Sequence, residues 1–176
     1  MDFNLPNFSL PRGLLDYLAE LDRFIEAEIR PLEERDDNIR FFDHRREHAR
    51  TDWDRGGLPR EEWENLLREG RRVADRAGHF RFALPKEMGG AGRDVGCGPN
   101  LAMAVIREHL AHKGLGLHND LQNEHSIVGN SIGAQLMWHY GSDAQKAEWM
   151  EALAAGRRGF AFGITEPKHG SDATHM

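Results

Sequence analysis

Residues 140–167 read YGSDAQKAEWMEALAAGRRGFAFGITEP, and two regular patterns meet within them. Ser142 or Asp143 is placed to cap a helix over DAQKAEWMEALAAG, because short polar side chains accept hydrogen bonds from the free amides of a first helical turn. Gly156 is expected to end that helix, since glycine readily adopts the left-handed conformation found after many helices. The next residues, GFAFGIT, are aromatic and β-branched and follow a glycine stop, which predicts a strand.

Apolar residues upstream of this stretch recur at steps of three and four, the spacing of one helical face. A first helix is predicted to begin after Pro11 and to be ended or bent by Pro31, because proline lacks the amide hydrogen that a helix interior needs. The predicted apolar stripe of this helix is Leu14, Leu18, Leu21, Ile25, Ile29 and Leu32.

Three further helices are predicted before the capped one. The first has Pro59 at its opening position and buries Trp63, Leu66, Leu67, Gly70, Val73, Ala74 and Ala77. Another starts near Pro99, after a glycine-rich loop, FALPKEMGGAGRDVGCGPN. The last carries Leu121, Ile127, Val128, Ile132 and Leu136, and stops near Gly141.

The predicted fold class is therefore mainly α. Residues 1–158 form an amino-terminal helical domain, and residues 159–176 form the incomplete start of a β domain. A lone strand cannot satisfy its own ladder hydrogen bonds. We therefore expect the chain to be truncated relative to the complete fold.

Composition excludes several classes of protein. The 176 residues carry a formal net charge of -6, which argues against nucleic-acid binding. No apolar run approaches the roughly 20 residues that a bilayer needs, so no membrane association is expected. The start of the chain lacks the pattern of a secretory signal. Cys97 is the single cysteine, which fits a reducing compartment, so a cytoplasmic location is expected.

The segment GITEPKHGSD, residues 163–172, joins the predicted strand to a turn rich in backbone and hydroxyl donors. Amides at the end of a strand can face the edge of a flat heterocycle. Gly170 can adopt backbone angles that other residues avoid, and the Ser171 hydroxyl can reach a phosphate oxygen. The residues also suit an ordinary hairpin turn, and residue chemistry by itself leaves both interpretations open.

This segment resembles the flavin-binding signature of the acyl-CoA dehydrogenase family, whose usual form is T-E-x-x-small-G-S-D. Two other stretches carry the same resemblance in the same order. LPKEMGGAG, residues 84–92, resembles the proline-to-glycine loop of that family, and residues 140–167 resemble its G-[ST]-x-x-Q-K helix, glycine stop and strand. The chain is thus identified as a member of the family, with the fold of its helical amino-terminal domain.

The resemblance implies an FAD-dependent oxidoreductase of fatty acid metabolism that introduces an α,β double bond into an acyl-CoA thioester. It also implies a site for FAD and, for the complete protein, electron transfer to an electron-transferring flavoprotein and assembly into a homo-oligomer. The implied cofactor-binding residues are Phe162, Gly163, Ile164, Thr165, Gly170 and Ser171. Ser171 is also the implied contact to the acyl-CoA.

No catalytic residue is assigned within the chain. In the family, a carboxylate from a later helical bundle removes the α-proton, so the base is expected beyond residue 176 and the isolated chain is expected to be inactive. Glu166 is a structural residue of the motif. His169 and His175 stand where the family usually has smaller residues, which puts in doubt the close packing of the FAD phosphates.

Two alternative functions compete with this interpretation. A helical interaction or assembly domain derived from the family would fold without flavin. A zinc hydrolase would use His44 and His48 of the H-x-x-E-H run, whose spacing places both imidazoles on one helical face.

The remaining histidines and glycines point to no second cofactor. His109, His112, His118 and His125 are expected at the surface or an interface, and the resemblance places 118–125 beside the acyl cavity. The glycines of GGAGRDVGCG do not match a dinucleotide fingerprint, since the G-x-G-x-x-G spacing is not met.

Overall fold

The computed structural model describes residues 9–43, 48–119, 126–129, 131–168, 170–172 and 174, and it is mainly helical. The α-helices of these described residues are α1 (Arg12–Phe24), α2 (Arg30–Glu34), α3 (Glu61–Arg76), α4 (Pro99–His112), α5 (Ile132–Tyr140) and α6 (Asp143–Ala154). A two-stranded antiparallel sheet joins β1 (Thr51–Asp52) to β2 (Leu58–Pro59), with Thr51 opposite Pro59. Within the described residues, no helix is both long and apolar enough to cross a lipid bilayer.

The first helix begins after Pro11, as predicted, but Pro31 does not end it. A π-helical turn, Ile25–Ile29, joins α1 to α2, and Pro31 lies in the first turn of α2. A proline is tolerated there because the missing amide hydrogen is not required in a first turn. The helical path ends at Arg35, whose ψ of 138° is extended. All six residues of the predicted stripe are buried.

Helix α3 confirms the predicted apolar face with two exceptions. Pro59 pairs in β2, and Arg60 is the residue that precedes the helix. Ala77 follows the last helical residue and is exposed, because the chain turns away at Gly78. The other predicted residues of the face are buried.

The glycine-rich loop between α3 and α4 is compact, and it contains a 3₁₀ turn, Lys86–Met88. Backbone bonds close it, among them one from the Gly90 amide to the Pro85 carbonyl at 2.9 Å. A β-carbon at Gly90 would overlap the carbonyl oxygen of Leu84. Gly90 therefore lets two backbone segments touch.

Replacing Gly90 with alanine is expected to lower the free energy of unfolding by about 2 kcal/mol, because the added methyl group must displace backbone atoms. Urea denaturation of the purified variants measures this loss. Gly159→Ala is the control, since a β-carbon at Gly159 would meet no atom within 4 Å. Equal stability of the two variants would show that the loop relaxes freely around Gly90.

Helix α6 has the predicted start and end. The Ser142 hydroxyl accepts a hydrogen bond from the Gln145 amide, and the Gln145 side chain accepts one from the Ser142 amide. Gly156, with φ of 65°, follows the helix. This capping box fixes the turn between α5 and α6.

Helix α5 is shorter than predicted. It starts at Ile132 and is followed by Gly141, but Ile127 and Val128 are buried in an irregular segment before it, and Leu121 lies outside the described residues. The Gly129 amide donates to the Phe80 carbonyl at 3.1 Å, which ties this segment to the loop after α3. The apolar spacing correctly predicted that Ile127 and Val128 are buried. The segment is held by the hydrogen bond between Gly129 and Phe80 and is not part of the helix.

The described core has two parts. The larger lies among α1, the π turn, α3 and α4, and the smaller joins Leu84 and Met88 to Ala134 of α5 and Ala154 of α6. Gly70 of α3 packs against Leu117, where a β-carbon would come within 3.1 Å of a leucine methyl group. The second core holds the α5–α6 pair against the 84–88 turn.

The strand predicted over GFAFGIT is wrong for this structure. Residues 159–165 have no regular secondary structure, and residues 157–168 are exposed. A strand forms only with a partner, and the described sheet consists of β1 and β2 alone.

Candidate functional site

A cleft opens between the start of α5, the end of α6 and the segment that follows α6. We call it the α5–α6 cleft. Its volume is about 150 Å³. It is lined by Arg71, Phe80, Gly129, Ser131, Ile132, Gly133, Ala134, Leu153, Gly156, Arg158, Gly159, Phe160 and Phe162. The lining combines a mainly hydrocarbon surface with one hydroxyl and two guanidinium groups.

Three phenylalanine rings form much of the apolar wall. Phe160 and Phe162 meet edge to face, with ring centroids 4.8 Å apart. A β-carbon at Gly133 would lie 2.8 Å from that of Phe160, and one at Gly156 would lie 2.6 Å from the Phe80 ring. The rings thus reach the backbone of α5 and the end of α6 directly.

Ser131 supplies a hydroxyl without a partner. Ser131 has a left-handed backbone conformation, with φ of 56°. It directly precedes α5, and its side chain makes no capping hydrogen bond to the helix. Its Oγ atom is buried and, among the described residues, has no hydrogen-bond partner. Burying a hydroxyl without a hydrogen bond costs free energy, so Ser131 is an unsatisfied polar group in the wall of the cleft.

Arg81 positions α6 relative to α3. Its guanidinium contacts Asp75 of α3 at 2.6 Å and Glu151 of α6 at 3.0 Å. The hydrogen bond from Arg81 lowers the pKa of Glu151 below its ordinary value. Arg158 lies over the Trp149 ring, 5.5 Å from its centroid. Together these contacts fix the wall of the cleft that α6 provides.

The predicted cofactor-binding residues do not converge on this cleft. Phe162 lines it, whereas Gly163, Ile164, Thr165, Gly170 and Ser171 are exposed and are not among its lining residues. A β-carbon at Gly163 or Gly170 would meet no atom within 4 Å. These residues therefore lie on the exposed surface of the described chain.

The structure brings together a buried polar cluster that the sequence did not predict. Glu33 is 1% exposed, accepts a hydrogen bond from Arg30 at 2.8 Å and also accepts one from the Leu117 amide. His118 is wholly buried, with Nδ1 3.7 Å from Glu33, so the predicted position at the surface or an interface is wrong. Burial by itself raises the pKa of Glu33, but the neighbouring donors outweigh it and lower that pKa.

His79 is a second buried histidine, and it packs against α1. His79 is 2% exposed, with Nδ1 3.2 Å from the Tyr17 hydroxyl, and its ring lies 4.5 Å from that of Phe24. Burial and the nearby Arg93 cation lower the pKa of His79 from 6.5 to about 4. Arg93 is itself held by Glu20 through two contacts of 2.8 Å. His79 is therefore neutral at physiological pH.

The histidines outside these clusters form no metal site in the described part of the chain. His109 contacts Asp22 at 2.6 Å, and His112 is half exposed near Glu108. Of the H-x-x-E-H run, residues 44–47 lie outside the described residues, as does His125. His48 accepts a hydrogen bond from the Trp53 indole at 2.8 Å.

A family model described as the N-terminal domain of acyl-CoA dehydrogenase matches residues 15–157. The chain belongs to the acyl-CoA dehydrogenase family. The match covers every described helix except the first three residues of α1. The observed mainly helical fold agrees with this domain, as predicted from the three motifs.

Similar proteins in this family have different substrates in their names. The chain is 32% identical over 120 residues to a glutaryl-CoA dehydrogenase of Desulfococcus multivorans, covering 66% of this chain and 29% of that protein. It is 33% identical over 96 residues to a 3-(aryl)acrylate reductase of Clostridium sporogenes, covering 54% of this chain and 23% of that protein.

A third relative is the short-chain specific acyl-CoA dehydrogenase of Megasphaera elsdenii. It is 35% identical over 89 residues, which cover 51% of this chain and 21% of that protein. The aligned part thus spans less than a third of each of these relatives. No solved structure matches the chain significantly.

Proposed function

We propose that this chain is the amino-terminal part of an FAD-dependent acyl-CoA dehydrogenase that introduces an α,β double bond into an acyl-CoA thioester. The observation that carries the proposal is the family match over residues 15–157, together with the GITEPKHGSD motif at 163–172 that follows it in the sequence. Three stretches that resemble acyl-CoA dehydrogenase motifs stand in order along the chain, which random similarity in a single loop would not produce.

The residues proposed to hold FAD are Phe162, Gly163, Ile164, Thr165, Gly170 and Ser171. Residues 163–168, 170 and 171 are exposed, and Gly163 and Gly170 leave room for the backbone to approach a flat ring or a phosphate. FAD, when bound, supplies the acceptor for the hydrogen that leaves the substrate. Such donors would stabilise negative charge on a bound ring.

We propose that the α5–α6 cleft receives the acyl group and that Ser171 contacts the thioester. The cleft is lined mainly by hydrocarbon, and Phe162 extends from it into the proposed cofactor segment. Residues of α5 and α6 line this cleft. A carboxylate base, an electron-transferring flavoprotein as electron acceptor, a homo-oligomeric assembly and a cytoplasmic location complete the proposal.

Replacing Thr165 with valine or Ser171 with alanine is expected to weaken FAD binding about fivefold each, because each change removes one hydrogen bond of about 1 kcal/mol. Quenching of flavin fluorescence measures the dissociation constant, using the protein translated from the complete reading frame that contains these residues. Ser9→Ala is the control, since Ser9 is an exposed serine remote in sequence from the motif.

A protein that purifies without flavin and does not bind added FAD would contradict the proposal. It would favour the flavin-free assembly domain. Bound zinc without flavin would favour the hydrolase. We expect the 176-residue chain by itself to bind FAD weakly, because one exposed segment supplies only part of a preorganised contact surface.

A further inference from the structure

Residues 159–165, GFAFGIT, are an exposed stretch of unpaired backbone, which we call the 159–165 segment. The segment contains no helix, strand, turn or bend, and its backbone makes no hydrogen bond to the backbone of another described residue. Aromatic and β-branched residues, which make up much of it, are enriched in strands. Unpaired amides and carbonyls of such a stretch can accept another strand beside them. The segment is therefore suited to pairing with a partner strand.

Large apolar side chains alternate with small ones along the segment. Phe160, Phe162 and Ile164 are 47%, 60% and 47% exposed, and Ala161 and Gly163 stand between them. Successive side chains of a strand point to opposite faces, so a strand here would carry its three large residues on one face. Contact between this face and a second apolar surface removes both from water, which is favourable.

The helical domain leaves room for a second strand beside the segment. A β-carbon at Gly133 of α5 would lie 2.8 Å from that of Phe160, so the start of the segment touches α5. A β-carbon at Gly159 or Gly163 would meet no atom within 4 Å. The backbone is therefore supported at Phe160 and open on both sides of it.

The charges that flank the segment favour a second copy of the same chain as its partner. Arg158 precedes the segment and Glu166 follows it, both residues are exposed, and the segment between them carries no charge. Two antiparallel copies centred on Phe162 place Arg158 of each opposite Glu166 of the other. Parallel copies in the same register would place Arg158 opposite Arg158, and like charges directly opposite are destabilising.

The same antiparallel register also matches the apolar side chains. It places Phe162 opposite Phe162 of the second copy, and Phe160 opposite Ile164 on either side. Residues directly opposite in an antiparallel pair have β-carbons about 5 Å apart, and aromatic and β-branched side chains form stabilising pairs at that separation. All the large residues of both copies then lie on one face of the two-stranded ribbon.

We propose that the 159–165 segment is a self-association surface, through which two copies of this chain pair as antiparallel strands about Phe162. The interface is isologous, because each copy presents the same surface to the other. The inference goes beyond the proposed function and does not rest on it.

Sedimentation of the 176-residue chain tests the association, and a dimer that forms as the concentration rises is expected. Phe162→Lys should raise the dissociation constant more than about a hundredfold, because two cations would face each other at the centre and the apolar contact would be lost. Tyr140→Lys is the control, at an aromatic residue that is 84% exposed, and should stay dimeric. A parent chain that is monomeric up to millimolar concentration, or a dimeric Phe162→Lys, would overturn the proposal.

Charge exchange tests the antiparallel register. Arg158→Glu and Glu166→Arg should each raise the dissociation constant about tenfold, because each creates two like-charge contacts in the dimer. A mixture of the two variants should dimerise as tightly as the parent chain, since one contact then keeps its original charges and the other has both charges reversed. Arg157→Glu is the control, because Arg157 would lie on the opposite face. Single variants that weaken the dimer without recovery in the mixture would contradict the register.

A cross-link provides a second test of the same register. Phe162→Cys in a Cys97→Ser background should oxidise to a disulfide-linked dimer, because the two cysteines would lie opposite each other. Thr165→Cys in the same background is the control, since its two copies would be about 20 Å apart. Equal cross-linking of the two variants would refute an arrangement centred on Phe162. Circular dichroism checks that each variant is folded.

The proposed function and the self-association fail independently. Pairing would use the backbone of Phe162 to Thr165, which is also proposed to hold FAD, so added FAD should reduce the dimer fraction if both proposals are correct. A monomeric chain that binds FAD would refute the self-association alone. A dimeric chain, together with a protein of the complete reading frame that binds no flavin, would refute the flavin site alone.

Discussion

Replacing Glu33 with alanine is expected to lower the free energy of unfolding by about 3 to 5 kcal/mol, the usual cost of breaking a buried ion pair. The variant leaves the Leu117 amide and His118 buried without the carboxylate that they face. It also removes the 2.8 Å contact to Arg30. Chemical denaturation at neutral pH, followed by circular dichroism, measures the loss.

Glu26→Ala is the matched control for that experiment. The Glu26 carboxylate lies 4.0 Å from the guanidinium of the same Arg30, and the Glu26 side chain is 68% exposed. An exposed ion pair contributes at most about 1 kcal/mol, so this variant should be nearly as stable as the parent chain. Equal losses for the two variants would show that burial of Glu33 does not matter.

The second large effect concerns His79 and pH. Because burial lowers the pKa of His79 to about 4, the unfolded chain binds a proton at this residue before the folded chain does. The contribution of His79 to the free energy of unfolding is therefore fully present above pH 6.5, and it decreases as the pH falls toward 4. A shift of this size corresponds to roughly 3 kcal/mol.

Urea denaturation between neutral pH and pH 4 is the measurement for this prediction. His79→Gln should show a flatter pH dependence than the parent chain, because glutamine keeps an acceptor for Tyr17 and does not titrate. His112→Gln, at a half-exposed histidine on α4, should keep the parental dependence. A parental dependence in His79→Gln would place the titration on other groups, such as Glu20 or Glu33, whose pKa values are also lowered.

Much of the helical framework follows from apolar spacing. The stripe from Leu14 to Leu32 and the face of α3, apart from Ala77, are buried as predicted, because a one-sided helix must pack that side inward. The Ser142 cap and the Gly156 stop were also predictable, since both depend on neighbouring residues only. Local interactions of this kind are present in the sequence itself.

The polar interior could not be predicted from spacing in the same way. Glu33 lies four residues after Ile29, on the buried face of the helix, and this position was the available signal. Its partner His118 is 85 residues further along the chain, and no local pattern joins the two. The π turn before Pro31 and the left-handed backbone of Ser131 likewise depend on tertiary packing, which overrides local preference.

In the proposed cofactor segment, the motif could be recognised from the sequence, but the secondary structure could not be predicted. The motif at 163–172 was recognised from residue types and their order, but the strand predicted before it needs a pairing partner to form. The family match over residues 15–157 confirms the family, and the flavin contacts stay a prediction. Phe162 is the one proposed cofactor residue that also lines the α5–α6 cleft.

Anaerobic addition of an acyl-CoA to the purified protein of the complete reading frame tests the proposed dehydrogenation most directly. The protein is expected to carry yellow flavin absorbance, and an acyl-CoA thioester that is a substrate should bleach it as the substrate is oxidised. A flavin-loaded protein whose absorbance is unchanged by short, branched, aryl and long acyl-CoA thioesters would contradict an acyl-CoA dehydrogenase function.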